Sequence, residues 1–233
     1  MMRLKGAVFL LSVIAFAIGA LGAEYKVDLE QSFFGVVVYK EGIASGFAHN
    51  HLVFAKTPRI SSFSIPDGKG LTAGIFAAEA DVAQIFCDDY EVSKKWMGIL
   101  EKAALISENV PLSEIKTSTR QDIEETMRGE EQLDERKYPI IYVKLLSMAA
   151  KSGEIGKIKT DFDAVLLITI HGITKELHAP ANVVLDGNQI QVITSAELKF
   201  TDFGIKPVST ALGMVRNQDD FRLFVSIKGK RNP

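Results

Sequence analysis

Between Asp161 and Phe200 apolar residues fall on alternate positions, and this periodicity narrows the fold more than any other feature of the chain. A β-strand sends successive side chains to opposite faces, so alternation marks a ribbon with one buried and one wetter side. Phe162, Ala164, Leu166, Ile168 and Ile170 make one wholly apolar face, opposed by Asp161, Asp163, Val165, Leu167, Thr169 and His171. Leu177, Ala179, Ala181, Val183 and Leu185 repeat the pattern against Glu176, His178, Pro180, Asn182, Val184 and Asp186. The tripeptide DGN at Asp186–Asn188 is a tight-turn sequence. Beyond it Ile190, Val192, Ala196, Leu198 and Phe200 align against Gln189, Gln191, Ser195, Glu197 and Lys199, and FRLFVSIKG gathers Phe221, Leu223, Val225 and Ile227. The C-terminal half is predicted to be an antiparallel meander.

The N-terminal half carries the same signal less cleanly. SFFGVVVYKEG, the segment around Phe63, and LTAGIFAAEADVA from Leu71 read as strands, the last with Phe76, Ala78, Ala80 and Val82 opposing Ala77, Glu79 and Asp81. A further strand begins at Tyr138, with Ile141, Val143 and Leu145 on its apolar side. DGKG at Asp67–Gly70 reads as a hairpin turn rather than a phosphate loop, for which it is too short. Between Tyr90 and Lys137 the period changes. Trp96, Ile99, Leu100 and Ala103 have helical spacing, Ser118 or Thr119 is a candidate N-cap, and Gly129 a stop. This region is predicted to form helices and loops outside the sheet, with closure of one end as an option. The charged run from Glu124 to Arg136 reads as a solvated helix face.

Before residue 24 the sequence follows another grammar. Arg3 and Lys5 precede an apolar run from Ala7 that ends in small residues at Ala23, the pattern of a secretory signal peptide. Cleavage after Ala23 leaves residues 24–233 as a single mature domain, with no linker or repeat to divide it. The alternative is retention as a membrane anchor, since Gly6–Ala23 is borderline for spanning a bilayer. No second long apolar segment follows, so the mature chain is expected to have no transmembrane segment. Losing Arg3 and Lys5 takes the basic count from 27 to 25 against 29 acidic residues, so the net charge goes from −2 to −4. That mild acidity gives no support to nucleic-acid binding. Cys87 is the only cysteine, which excludes an internal disulfide, and it reads as a small buried apolar residue.

Antiparallel strands with one apolar side each must close into a barrel or pair as a sandwich. Ala78, Ala80, Ala164, Ala179, Ala181 and Ala196 all fall on inward faces. Two readings fit them: small residues leave a lumen, or they let a packed barrel taper.

Three ordered segments carry a family resemblance. LLITIHGITKELHAPANV resembles a Gly-Val-Thr-Lys hairpin of the YceI-like proteins, the lipocalin-like family associated with polyisoprenoid binding. RQDIEETMRGEEQLDERK with YPIIYVKLLSM is similar to that family's segment ending in Lys-Tyr-Pro and a strand. AELKFTDFGIKPVSTALGMVRNQDDFRLFVSI resembles its Asp-Phe-Gly-Ile turn and closing strand. The resemblance spans roughly Val27 to Lys228. It implies an all-β fold, an extended eight-stranded antiparallel lipocalin-like barrel, here with a helical insertion near the middle of the chain. It also implies export, a long isoprenoid chain held in an apolar lumen, and no catalytic machinery or cofactor. Two departures stand out: SGFAHNHLVFAK replaces a segment with a single histidine, and the stretch from Asp88 to Pro111 is longer than the family pattern.

On this reading the ligand lies against Phe76, Ala78, Val143, Phe162, Ala164, Leu166, Ile168, Ala181, Val183, Val192, Leu223 and Val225, and each of these is equally well accounted for as plain core. The expected function is that of an exported noncatalytic binding protein or carrier for a long isoprenoid-like lipid, acting in the periplasm or outside the cell. Two alternatives remain open. His49 and His51 are two apart, so on a strand they share a face, as metal ligands can, with His171, His178, Glu79 or Asp81 as a third; that would make a metal-dependent envelope enzyme. A packed structural or stress barrel without ligand is the other. Nucleophilic catalysis finds no support, because Ser45-Gly46 lacks the glycine of a nucleophile elbow and Cys87 has no histidine near it in sequence. With Gly172–Lys175 as a hairpin loop, His171 pairs with Glu176 and both His171 and His178 lie on the outer face, away from the lumen.

Overall fold

The computed structural model describes residues 22–42, 50–65, 71–107, 112, 114–210 and 214–233. His49 and the Asp67–Gly70 turn lie outside the described residues, as does the signal segment up to Leu21. Twelve strands form one sheet: β1 (Ala23–Val27), β2 (Phe33–Glu41), β3 (His51–Ala55), β4 (Arg59–Ile65), β5 (Ile75–Asp81), β6 (Ile85–Cys87), β7 (Ile140–Ile155), β8 (Ile158–Ile170), β9 (Ile173–Asp186), β10 (Gln189–Lys199), β11 (Ser209–Thr210) and β12 (Val215–Arg231). Helices α1 (Tyr90–Lys102) and α2 (Thr117–Arg128) interrupt the strands.

The first six strands are three staves, each bent once. β1 and β2 are joined by a 3-10 turn at Leu29–Gln31, whose N-cap Asp28 accepts from the backbone N–H of Glu30 at 3.1 Å and Gln31 at 3.2 Å. β3 and β4 bend at Lys56–Pro58, β5 and β6 at the 3-10 turn Val82–Gln84. The bends lie level with one another, for Lys56 N–H bonds the carbonyl of Gln84 and β12 passes from β2 to β1 between Ser226↔Phe33 and Gly229↔Val27. With β7, β8, β9, β10 and β12 the staves make a closed eight-stranded antiparallel barrel, sealed where β12 pairs with β2 and β1. Closure removes the sheet edge that an open meander would expose.

Turn chemistry sets the register of the long hairpins. His171 and Gly172 have φ of 52° and 74°, so both central residues of the β8–β9 turn are left-handed, as a two-residue primed turn requires. Ile170 pairs with Ile173, Thr169 with Thr174 and Leu167 with Glu176. The expected Gly172–Lys175 loop is therefore corrected: His171 is in the turn itself and does not pair with Glu176. A Cβ on Gly172 would lie 2.4 Å from the Tyr138 ring, so Tyr138 packs directly over the turn.

One side of the barrel is covered and one seam is plugged. Helix α1, N-capped by Asp89, lays Trp96, Leu100 and Ala103 over the outer faces of β2, β3 and β12, against Phe33, Val37, Leu52 and Phe224. The tip of the β7–β8 hairpin joins this outer cluster through Ile155 and Ile158, and Lys157 N–H bonds the carbonyl of Lys102 at 2.7 Å. On the other side, β9 and β10 part beyond Ala181↔Thr194. The turn at Thr201–Phe203 contacts both strands and buries Phe203 and Ile205 in the inner cluster. That is the structural work of the Asp-Phe-Gly-Ile segment.

Helix α2 departs from expectation twice. Its N-cap is Lys116, with no side-chain cap bond, and Thr119 faces the barrel interior instead of the helix end. The run from Glu124 is solvated only in part: Glu125, Glu130, Glu131 and Arg136 are exposed, whereas Glu124 and Arg128 turn to the sheet. Glu124 is buried and accepts the Cys87 N–H at 3.2 Å, while Arg128 donates to the Ile85 carbonyl at 2.7 Å. Because β7 starts only opposite Asp81, β6 pairs with β3 but has no strand on its other side, and this i,i+4 pair satisfies that edge.

Candidate functional site

A cavity of about 490 Å³ occupies the upper half of the barrel, within the size range of small-molecule pockets. Its wall is built from alternate residues. Phe34, Val36 and Val38 come from β2, Val53 from β3, Ala78 and Ala80 from β5, Ile141 and Val143 from β7, Ile168 and Ile170 from β8, and Phe221, Leu223 and Val225 from β12. Phe200, Phe203 and Ile205 of the plug complete it, and α2 presents Thr119, Asp122, Ile123, Thr126 and Met127, spaced by three and four as one helix face must be. Lys40, Arg216 and Asn217 stand at one end, where Lys40 pairs with Asn217 and Glu41 with Arg216 across β2 and β12.

The opposite end is filled. Tyr25 stacks on Phe63 at 5.6 Å between centroids, and Phe63 meets Phe76 edge-on at 5.7 Å. Ile190 and the Phe63 ring close over Gly229, where a Cβ would come within 3.1 and 3.4 Å of them. This aromatic stack makes the barrel a cup rather than a tube.

Of the residues expected to touch a ligand, Ala78, Val143, Ile168, Leu223 and Val225 line the cavity. Ala164, Leu166 and Ala181 are buried in the inner cluster below it, with Phe162 packed against them. Phe76 belongs to the aromatic stack, and Val183 and Val192 form a half-buried cross-strand pair between β9 and β10. Periodicity assigns a face, not a height, and only the upper rungs surround empty space. The alanines divide likewise: Ala78 and Ala80 leave room, whereas Ala164, Ala179, Ala181 and Ala196 sit in close-packed wall.

One polar group stands among the apolar rungs. His51 lines the cavity level with Val38 and Phe221, and its Nδ1 lies 2.6 Å from Oδ2 of Asp88. The other Asp88 oxygen accepts the Leu52 N–H at 2.8 Å, and the Asp88 N–H bonds the Leu52 carbonyl at 2.9 Å. The Asp88 side chain is only 3% exposed and its backbone has φ of 50°, a left-handed conformation that Asp tolerates better than most residues. Next to it Cys87 is buried as expected; burial first, then the charges of Asp88 and Glu124, push its thiol well above the usual thiol range. It is an inert thiol.

The other histidines do other things. His178 lies on the outer face and bonds Asp163 at 2.9 Å, which holds that carboxyl below its usual range. His171 packs edge-on against Tyr138, with Nδ1 3.1 Å from the Phe203 carbonyl, and so ties the hairpin to the plug. Glu79 and Asp81 both bind Arg59. Among the described residues no three His, Cys, Asp or Glu side chains gather into a metal-sized group.

Sequence reasoning missed the lining from β2, β3, α2 and the plug. In FFGVVVY both faces are apolar, one for the cavity and one for α1, so alternation is invisible there. The signal that identifies α2 is the pair of i,i+4 stripes: Thr119, Ile123 and Met127 toward the cavity, and Arg120, Glu124 and Arg128 toward Asp89 and β6.

Residues 25–228 match the YceI-like domain family. Two solved structures share the fold. BcnA of Burkholderia cenocepacia superposes with a TM-score of 0.57 at 14% identity, over 87% of this chain and 99% of its own. A polyisoprenoid binding domain from Saccharophagus degradans, implicated in plant cell wall breakdown, does so with a TM-score of 0.51 at 11% identity, over 91% of this chain and 100% of its own. No curated protein matches the sequence.

Proposed function

Because the chain belongs to the YceI-like domain family, we propose that it is an exported, noncatalytic binding protein that carries a long isoprenoid-like lipid in the barrel. The observation that carries this reading is the cup itself, a continuous apolar wall around empty space with polar groups confined to its upper part. Water in such a space has few partners, so an oily tail displaces it at little polar cost. Each buried methylene contributes roughly 0.8 kcal/mol, and about a dozen give on the order of 10 kcal/mol before the cost of ordering the tail. The isoprenoid class is that of the polyisoprenoid binding domain from Saccharophagus degradans, and export is read from the charged, apolar and small-residue order of the first 23 residues.

Native purification of the protein followed by lipid extraction and mass spectrometry tests this directly. A stoichiometric long-chain prenyl lipid is the expected result. Repeated recovery of empty protein that also fails to bind added polyprenyl lipid would end the proposal.

A further inference from the structure

His51 is a polar side chain in the cavity wall, and its geometry specifies what it can bind. It lies one rung above Val36, Val53 and Leu223 and one rung below Lys40, at the boundary between apolar cup and charged rim. Carboxylate oxygens accept hydrogen bonds, and Asp88 already takes one from Leu52 N–H. Its second oxygen, 2.6 Å from Nδ1, therefore holds the ring hydrogen on Nδ1. In the neutral ring Nε2 then carries the lone pair, and it has no hydrogen-bond partner among the described residues. The side chain is 17% exposed, and the residue lines the cavity. Three other polar groups of the wall are occupied: Arg216 Nε donates to Glu41 at 2.6 Å, Gln132 to the Lys206 carbonyl at 2.9 Å, and the Thr126 hydroxyl to the Asp122 carbonyl at 2.9 Å.

We propose that His51, oriented by Asp88, is the headgroup anchor of the cavity: its Nε2 accepts a hydrogen bond from the terminal hydroxyl of a prenyl alcohol whose tail descends into the cup. This rests on the carrier reading and narrows it, since a bare hydrocarbon or a capped ether would cover that acceptor without offering it a donor. Asp88 is a positioning residue that sets the tautomer without touching the ligand.

Competition binding with geranylgeraniol and its methyl ether separates the possibilities. The wild-type protein should favour the alcohol about tenfold, the ratio set by one net hydrogen bond of roughly 1.4 kcal/mol. His51→Leu should bind both equally. Asp88→Asn gives a sharper reading: its amide oxygen keeps the Leu52 N–H, while its NH2 donates to Nδ1 and drives the ring hydrogen to Nε2. An Nε2–H donor serves alcohol and ether alike, so the preference should vanish while affinity for the ether is kept or improved. Nitrogen-15 shifts of His51 should show the lone pair on Nε2 in the wild type and on Nδ1 in Asp88→Asn, a change that a merely structural role would not link to ligand preference. Equal binding of alcohol and ether by the wild type overturns the anchor and leaves the carrier reading standing. Failure of the folded wild type to bind either compound overturns the carrier reading, and the anchor with it.

Discussion

The barrel wall has two apolar faces, and they are finished differently. On the outer side, under α1, Val37, Leu52, Leu100 and Phe224 have no exposed surface at all. On the inner side, in the same strands, Val36, Val53 and Val225 stay half-buried because the space in front of them is empty. Neighbours in sequence thus serve opposite ends, Phe224 in a filled core and Val225 on a cavity wall. The contrast teaches where such a barrel keeps its stability: a cup that must stay vacant cannot supply its own close packing, so α1 and the β7–β8 tip provide a second core outside it. Gly156 at that tip shows how tight the second core is, since a Cβ there would lie 2.5 Å from the Ala103 carbonyl carbon.

The largest effect should follow from breaking the filled side. Phe224→Ala removes a ring with 0% exposure that packs 6.1 Å from Phe33, and the loss should be about 4 kcal/mol, within the range for buried aromatic truncations. Urea unfolding reads it as a lowered midpoint with unchanged slope. A loss near 1 kcal/mol would mean that the outer cluster is not a closely packed core. A smaller effect is expected at the seam, where α2 replaces a strand. Glu124→Ala orphans the buried Cys87 N–H, removes the carboxylate beside Arg128 and should cost about 2 kcal/mol, with faster hydrogen exchange at the Cys87 amide. Glu124→Gln keeps an acceptor for that N–H and should restore most of the stability and the slow exchange.

How much the sequence discloses follows the same division. From Asp161 to Phe200 the outer face is mostly wet, so each strand alternates cleanly and the meander, its inward faces and the DGN turn are all legible. In β2 and β3 both faces are covered, and three staves are broken by bends, so periodicity fades although the strands are there. The cavity is legible only as a direction. Which rungs face emptiness depends on the Tyr25–Phe63–Phe76 stack below and on α2 and the plug above, contacts between elements far apart in the chain. His51 stood out as a histidine, but Asp88, which gives it a role, lies 37 residues away and is brought near by β3–β6 pairing. Alternation runs through His171 and assigns it to a strand, whereas His171 and Gly172 take the two positive φ values of the turn.

The smallest stability change, and the one that sharpens the contrast most, is to place the same added ring on each side. Ala80 points into the cavity and Ala103 into the outer cluster at 4% exposure. In a filled core a new ring forces its neighbours off their rotamers, so Ala103→Phe should cost about 1–3 kcal/mol. In the cup the ring finds about 490 Å³ of space, and the gain from burying it offsets the local crowding. Ala80→Phe should therefore leave the urea midpoint within about 1 kcal/mol of wild type, or raise it, by occupying the vacancy that costs the barrel packing. The same substitution should abolish binding of a polyprenyl lipid, which Ala103→Phe should spare in the folded fraction. Stability and binding then move in opposite directions on the inner face and independently on the outer one. Equal destabilisation by both substitutions would mean that the inner wall is as closely packed as the outer, and that no cup exists for a lipid to fill.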